Sequence, residues 1–205
     1  MKRSLRRISK APISAATTKR RRRTSTTRIE GEPGVPVLAT VALALGGNQG
    51  EVEAAFRRAL AQLRLSLGPL RVASLYRGAP VSPVAQPDYL NTAALAATAL
   101  PPDAVLALAK ALERAAGRRR GVRFGPRPLD IDLLLYGRLR SEAPEMTLPH
   151  PRLRERRFVL APLAEIAPDL AVPPDGAAVR DLLAGLPPDP AFRRVEWSGG
   201  RPDFS

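Results

Sequence analysis

Seven charged side chains are crowded into residues 118–132. Arg118, Arg119, Arg120, Arg123 and Arg127 stand among glycines and prolines, and Asp130 and Asp132 follow inside the apolar run 129–136. A guanidinium offers a fixed fork of donors that fits phosphate oxygens. On a strand, residues two apart point to one face about 6.6 Å apart, so the two carboxylates should face together while Leu129, Ile131 and Leu133 face a core. Adjacent carboxylates repel, and a hard divalent cation relieves that repulsion. Mg²⁺ takes one or two carboxylates with phosphate and water oxygens. Zinc is a poor match for a chain with one histidine and no cysteine. Cations for a polyphosphate thus adjoin carboxylates for a metal, and Arg127, between Pro126 and Pro128, is the best-placed arginine. The plain alternative is a solvated strand face paired with arginines. His150, between two prolines, precedes Arg152, Arg154, Arg156 and Arg157. In a helix Arg152 and Arg156 would share a face, either a second phosphate surface or a solvated one.

These groups need elements to hold them. Alternation over 37–45 predicts a strand ended by Gly46-Gly47-Asn48-Gln49-Gly50. That turn either places N–H groups near a phosphate or simply reverses the chain. Apolar residues at 52, 55, 56, 59, 60, 63 and 67 predict a helix over 51–67, stopped by Gly68-Pro69. Strands follow over 70–76 and 89–98, joined by a Pro-rich loop, 77–88, long enough to suggest a role beyond connection. Pro101-Pro102-Asp103 opens a second helix that runs to Gly117. A fourth strand covers 129–136, a helix bent by Pro162 covers 153–166, and a short helix covers 179–183. The order β-α-β-β-α-β predicts an α+β, ferredoxin-like core: an antiparallel sheet with helices packed on it.

Composition narrows the function. Residues 1–34 carry 11 Lys and Arg against two Glu, whereas the rest carries 22 against 17. The body is therefore only moderately basic, which suits an anionic ligand and does not require nucleic acid. Residues 1–35 read as a disordered basic extension, 36–198 as the folded domain and 199–205 as a tail. The extension is a solvated tail, a transit peptide or an arm for an acidic partner. Disulfides and thiol catalysis are excluded because there is no cysteine. No apolar run approaches the roughly 20 residues of a membrane span.

The run R-F-G-P-R-P-L-D-I-D-L-L-L-Y-G over 123–137 resembles the signature of the 6-hydroxymethyl-7,8-dihydropterin pyrophosphokinase family. Further matches follow that family's order: A-L-G-G-N at 44–48, S-L-Y-R at 74–77, Q-P-D-Y-L-N at 86–91, L-P-H-P-R at 148–152 and R-R-F-V-L at 156–160. The resemblance spans about residues 37–197. It implies transfer of pyrophosphate from ATP to the pterin's hydroxymethyl group in folate biosynthesis, releasing AMP, by a cytoplasmic monomer needing no nucleic acid or membrane. It implies that Asp130 and Asp132 bind two Mg²⁺ ions with ATP and that Arg118 and Arg127 stabilise phosphate charge. Lys110, Glu113, Arg120, Arg123, His150 and Arg156 would line the nucleotide site. Gly78, Ala79, Val81, Tyr89, Asn91 and Phe158 would hold the pterin. Two departures stand out: Gly78-Ala79 replaces a common Thr/Ser-Pro pair, and Phe124 replaces a tryptophan of some relatives. The arginine loop is one residue shorter than in some members, so one catalytic role falls on Arg118, Arg119 or Arg120. An RNA-binding domain would need exposed aromatics on central strands, and no such motif is present. A D-x-D nucleotide-sugar transferase is disfavoured by the short domain and the 86–91 motif.

Overall fold

The computed structural model describes residues 37–80, 85–118 and 125–204. Its centre is β1 (Ala39–Gly47), which pairs antiparallel with β4 (Tyr89–Thr98) on one side and β5 (Asp130–Tyr136) on the other. Beyond β4 lie β2 (Leu70–Val72) and β3 (Leu75–Gly78), and β10 (Arg193–Val195) adds an edge to β3. With the two helices α1 (Val52–Leu67) and α2 (Pro102–Ala115) this is the predicted ferredoxin-like core.

Side-chain alternation along β1 divides the interior into two cores. Val41, Leu43 and Leu45 face α1 and α2, where Phe56, Leu60 and Leu63 are fully buried. All seven apolar positions that predict α1 are buried. Ala42 faces the opposite core, built by Leu160 and Leu163 of α3 (Arg157–Ile166) with Val179 of α4 (Val179–Ala184). The helices therefore cover both faces of the sheet. Two short two-stranded pieces complete the described strands: β6 (Ser141–Ala143) with β7 (Met146–Leu148), and β8 (Ala171–Val172) with β9 (Ala177–Ala178). No helix among the described residues is long and apolar enough to cross a membrane.

The structure redraws several expected boundaries. The strand expected over 37–45 starts at Ala39 and keeps Gly46 and Gly47, so the glycines lie in the sheet and do not end it. The single strand expected over 70–76 is broken. Val72 pairs with Ala94 but Tyr76 pairs with Asn91, so this side holds one extra residue, a β-bulge. Its cause is polar: the Ser74 N–H leaves the ladder and donates to Glu165 of α3 at 3.0 Å. The bulge also carries Arg77 and Gly78 out of the expected loop and into β3. The helix expected over 153–166 splits into a 3₁₀ turn (Leu153–Glu155) and α3, because Arg156 takes extended angles, φ −113° and ψ 105°. Arg152 and Arg156 therefore share no helix face.

Candidate active site

The sheet register builds the floor. On the face covered by α3, Gly46 of β1 stands opposite Asn91 of β4 and also opposite Asp130 of β5. One row along, Ala44 stands between Ala93 and Asp132. Strands lie about 4.8 Å apart, so Asn91 and Asp130 are separated by one strand that lacks a side chain. A Cβ at Gly46 would sit 3.3 Å from Asn91 Oδ1. The two small residues leave a groove with a hydrogen-bonding amide on one wall and carboxylates on the other.

The carboxylate wall is charged throughout. Asp130 and Asp132 share one face and are about one-quarter and one-third exposed, while Leu129, Ile131 and Leu133 are buried on the other. Asp130 pairs with Arg118 and, at 2.7 Å, with Arg127. Burial pushes its carboxyl up, but the two guanidinium groups outweigh burial, and it lies below the usual carboxylate range. Asp132 faces Arg156 at 3.7 Å and His150 at 3.8 Å. Burial lowers His150 against the pull of Asp132, and Arg156 and Arg152 add to the drop, so the imidazole is neutral at pH 7. Its Nδ1 accepts the Arg152 N–H at 3.2 Å, and its Nε2 stands 3.8 Å from Asp132, outside hydrogen-bond range.

Glu113 and Lys110 of α2 work from behind. Strand β5 pairs with β1 on one edge only, and its other edge needs partners. The Ile131 N–H donates to Glu113 at 2.8 Å, and Lys110 reaches the Ile131 carbonyl at 3.4 Å. Glu113 also holds Lys110 at 2.9 Å and pairs with Arg118. Burial raises Glu113 above its ordinary range against the Ile131 N–H and Lys110. It is thus a buried strut that fixes Arg118 and β5 together, and it does not open into the groove.

The opposite wall is built from uncharged side chains. Tyr89 and Asn91 alternate onto the groove face of β4, and Gly78 of β3 stands beside Tyr89. Burial raises the Tyr89 phenol above its usual value, and nearby Arg127 opposes that rise. Phe158, in the first turn of α3, carries the Arg156 guanidinium 5.3 Å from its ring centre, a cation–π contact joining the two walls. Ala79 follows Gly78 at the end of a described segment. Val81, Arg120 and Arg123 lie outside the described residues, as do Arg119 and Phe124.

Two residues missed by sequence reasoning matter here. Phe192, before β10, stacks on Tyr76 with ring centres 5.3 Å apart. A Cβ at Gly78 would meet Phe192 at 2.7 Å, so a glycine beside a distant aromatic replaces a side chain there. Asn48 is the other. The N–H groups of Asn48 and Gln49 donate to the Arg127 carbonyl at 2.9 and 3.2 Å. The turn after β1 is therefore a clasp on Arg127, and these N–H groups are not aimed at a phosphate. The sequence signal available for Asn48 was its place in the Gly-rich turn.

Fold and site together define the class: an α+β, ferredoxin-like domain whose groove carries an arginine-ringed carboxylate pair across one glycine from a polar-aromatic wall. Residues 42–168 match the family described as 7,8-dihydro-6-hydroxymethylpterin-pyrophosphokinase (HPPK). A Pseudomonas aeruginosa 2-amino-4-hydroxy-6-hydroxymethyldihydropteridine pyrophosphokinase is 40% identical over 153 residues, 74% of this chain and 94% of that one. The mitochondrial folate synthesis bifunctional protein of Arabidopsis thaliana is 42% identical over 161 residues, 78% of this chain but 29% of that one. The chain thus spans under a third of that plant relative and nearly all of the bacterial one. The solved Plasmodium falciparum HPPK-DHPS S436F/A437G/A613S triple mutant has the same fold, at TM-score 0.56 and 13% identity, over 72% of this chain and 44% of that one. The chain belongs to the 7,8-dihydro-6-hydroxymethylpterin-pyrophosphokinase family.

Proposed function

We propose that the chain transfers the pyrophosphoryl group of ATP to the hydroxymethyl oxygen of 6-hydroxymethyl-7,8-dihydropterin, releasing AMP, in tetrahydrofolate biosynthesis. The row Asn91–Gly46–Asp130 carries this reading, because it sets an acceptor wall and a phosphate wall one strand apart. In the reaction the hydroxyl oxygen bonds to the β-phosphorus. The bond from that phosphorus to the α,β-bridging oxygen breaks, AMP leaves, and the hydroxyl proton passes to solvent.

A flat pterin needs an apolar slot with a few directed hydrogen bonds. Asn91 would read the ring edge, Tyr89 and Phe158 would hold its faces, and the chain from Gly78 through Ala79 to Val81 would close the side. The donor set on the other wall, two carboxylates beside a neutral imidazole and no thiol, fits Mg²⁺. Asp130 and Asp132 would hold two ions brought with ATP. Such ions, when bound, would offset the charge of the phosphates. Arg118 and Arg127, now on Asp130, would turn to the transferring phosphates, where a well-aimed donor is worth about 10²–10³ in rate. Lys110 and Glu113 would keep Arg118 in reach, while His150, Arg156, Arg120 and Arg123 would line the nucleotide. The reading needs no nucleic acid and no second copy of the chain.

The test is incubation with ATP, Mg²⁺ and the hydroxymethyl pterin. AMP and pterin diphosphate should form one to one, with no AMP when the pterin is omitted. Absence of AMP from the intact chain, or an undiminished rate in Asp130→Asn, would refute the proposal.

A further inference from the structure

We propose that Asn48 is a positioning residue that locks the phosphate wall and the acceptor wall into one frame; this rests on the acceptor reading of Tyr89 and Asn91. Its side chain is buried, with 7% of the residue exposed. The Oδ1 atom accepts the Arg127 N–H at 2.9 Å. The Nδ2 group donates to Gln86 Oε1 at 2.9 Å and to the Pro87 carbonyl at 3.0 Å. Together with the two backbone bonds to the Arg127 carbonyl, this takes both peptide groups of Arg127. The arginine's backbone is fixed, and its guanidinium meets Asp130 from that fixed point. Gln86 and Pro87 lead directly into Tyr89, the first residue of β4. One amide therefore holds the catalytic arginine by its acceptor end and the acceptor segment by its donor end.

No other short side chain makes all three bonds: a serine or threonine hydroxyl has a single proton to donate. Asparagine offers two donors and a carbonyl acceptor, while aspartate at neutral pH only accepts. The neighbourhood is too tight for slack: a Cβ at Gly47 would sit 2.7 Å from the Pro128 carbonyl. A buried bond that is lost or reversed costs far more than an exposed one. The two ends can thus be cut separately. Asn48→Asp keeps the acceptor for Arg127 but sets an oxygen against the Pro87 carbonyl. Gln86 can turn its amide to suit; a carbonyl cannot. Asn48→Ala cuts both ends.

The experiment measures kcat, the pterin KM, the Kd of a non-hydrolysable ATP analogue and the thermal midpoint, with peptide-level hydrogen exchange over 85–91 and 125–130. In Asn48→Asp the pterin KM should rise about tenfold, with kcat and analogue Kd changing less than about twofold. Exchange should quicken in 85–91 and stay unchanged in 125–130. In Asn48→Ala both segments should exchange faster, and kcat should fall as well. Variants with a lower midpoint but wild-type KM, kcat and exchange would make Asn48 merely structural and overturn the proposal. So would equal shifts of pterin and nucleotide parameters in Asn48→Asp. If the wild-type chain forms no AMP, the functional reading falls, and the exchange pattern still decides whether Asn48 ties the two segments.

Discussion

Asp130 and Asn91 flank the same glycine, yet their walls are held by different physics. On the carboxylate wall Lys110, Arg118 and Arg127 are chained through Glu113 and Asp130, and Arg156 separately faces Asp132. Each of these side chains has a partner of opposite charge, and on the proposed reading a polyphosphate with its cations would exchange with those partners without leaving a charge bare. The acceptor wall holds no charge of its own and depends on register, a bulge and a glycine. The comparison separates two kinds of site residue. On the proposed reading, those on the first wall would act by charge and tolerate small shifts. Those on the second would act by shape and hydrogen-bond direction and would not.

Mutations should expose that difference, the largest effect coming from the charged wall. Asp130→Asn and Asp132→Asn should each lower kcat by roughly 10³-fold or more, because a bound cation supplies several kcal/mol of charge stabilisation. Pterin binding measured without nucleotide should stay within about twofold in the same proteins. A matching loss of pterin affinity would erase the distinction between the walls.

Next in size is the acceptor wall. Asn91 is buried, and Asn91→Leu should raise the pterin KM by about 10- to 100-fold through a lost directed bond, with a smaller change in kcat. An equal fall in kcat with unchanged KM would move Asn91 to the phosphate side.

Smaller again is the Gly78–Phe192 pair. Gly78→Ala places its Cβ 2.7 Å from the Phe192 ring and should destabilise the fold by about 1 kcal/mol. In a Phe192→Ala background the same Gly78→Ala change should cost much less in urea unfolding, since the clash is gone. Simple additivity of the two changes would show that the ring does not set the glycine.

The smallest effect is a titration at Tyr76, which underlies the acceptor wall. Burial, then the charge and hydrogen bond of Glu165, push this phenol from 10.0 up to about 12. A raised folded value means that the stabilisation is complete below pH 10 and is lost as pH climbs from 10 toward about 12. Unfolding measured across that window should steepen less with pH in Tyr76→Phe than in the wild type. Parallel curves would remove Tyr76 as the source.

The charged wall was readable in the chain because charge needs no geometry to be noticed. Arg127, Asp130 and Asp132 declare themselves by type and spacing, and strand alternation put both aspartates on one face with Ile131 and Leu133 buried behind them, as found. Glu113 and Lys110 were assigned to the nucleotide by resemblance, and what the structure shows of them is that they bond the outer edge of β5 at Ile131. Tyr89, Asn91 and Phe158 were assigned to the pterin only through resemblance, because each type is ordinary core material. Asn48 and Phe192 were missed as site residues. Their partners lie 79 residues away at Arg127 and more than 100 residues away at Gly78, and no local pattern encodes such a distance.

By itself, then, the sequence determined the two helices of the ferredoxin-like core, the β-α-β-β-α-β order, the carboxylate pair and the cations around it, because periodicity and charge are properties of neighbouring residues. Tertiary structure alone decided three things. Gly46 lies between Asn91 and Asp130, the helix expected over 153–166 breaks so that Arg156 reaches Asp132, and the Gly-rich turn clasps Arg127 instead of a phosphate. The first depends on the register of strands far apart in the chain, and the other two on partners, Asp132 and Arg127, outside the local segment. Register follows from burying two faces of a sheet at once, which no single segment can specify.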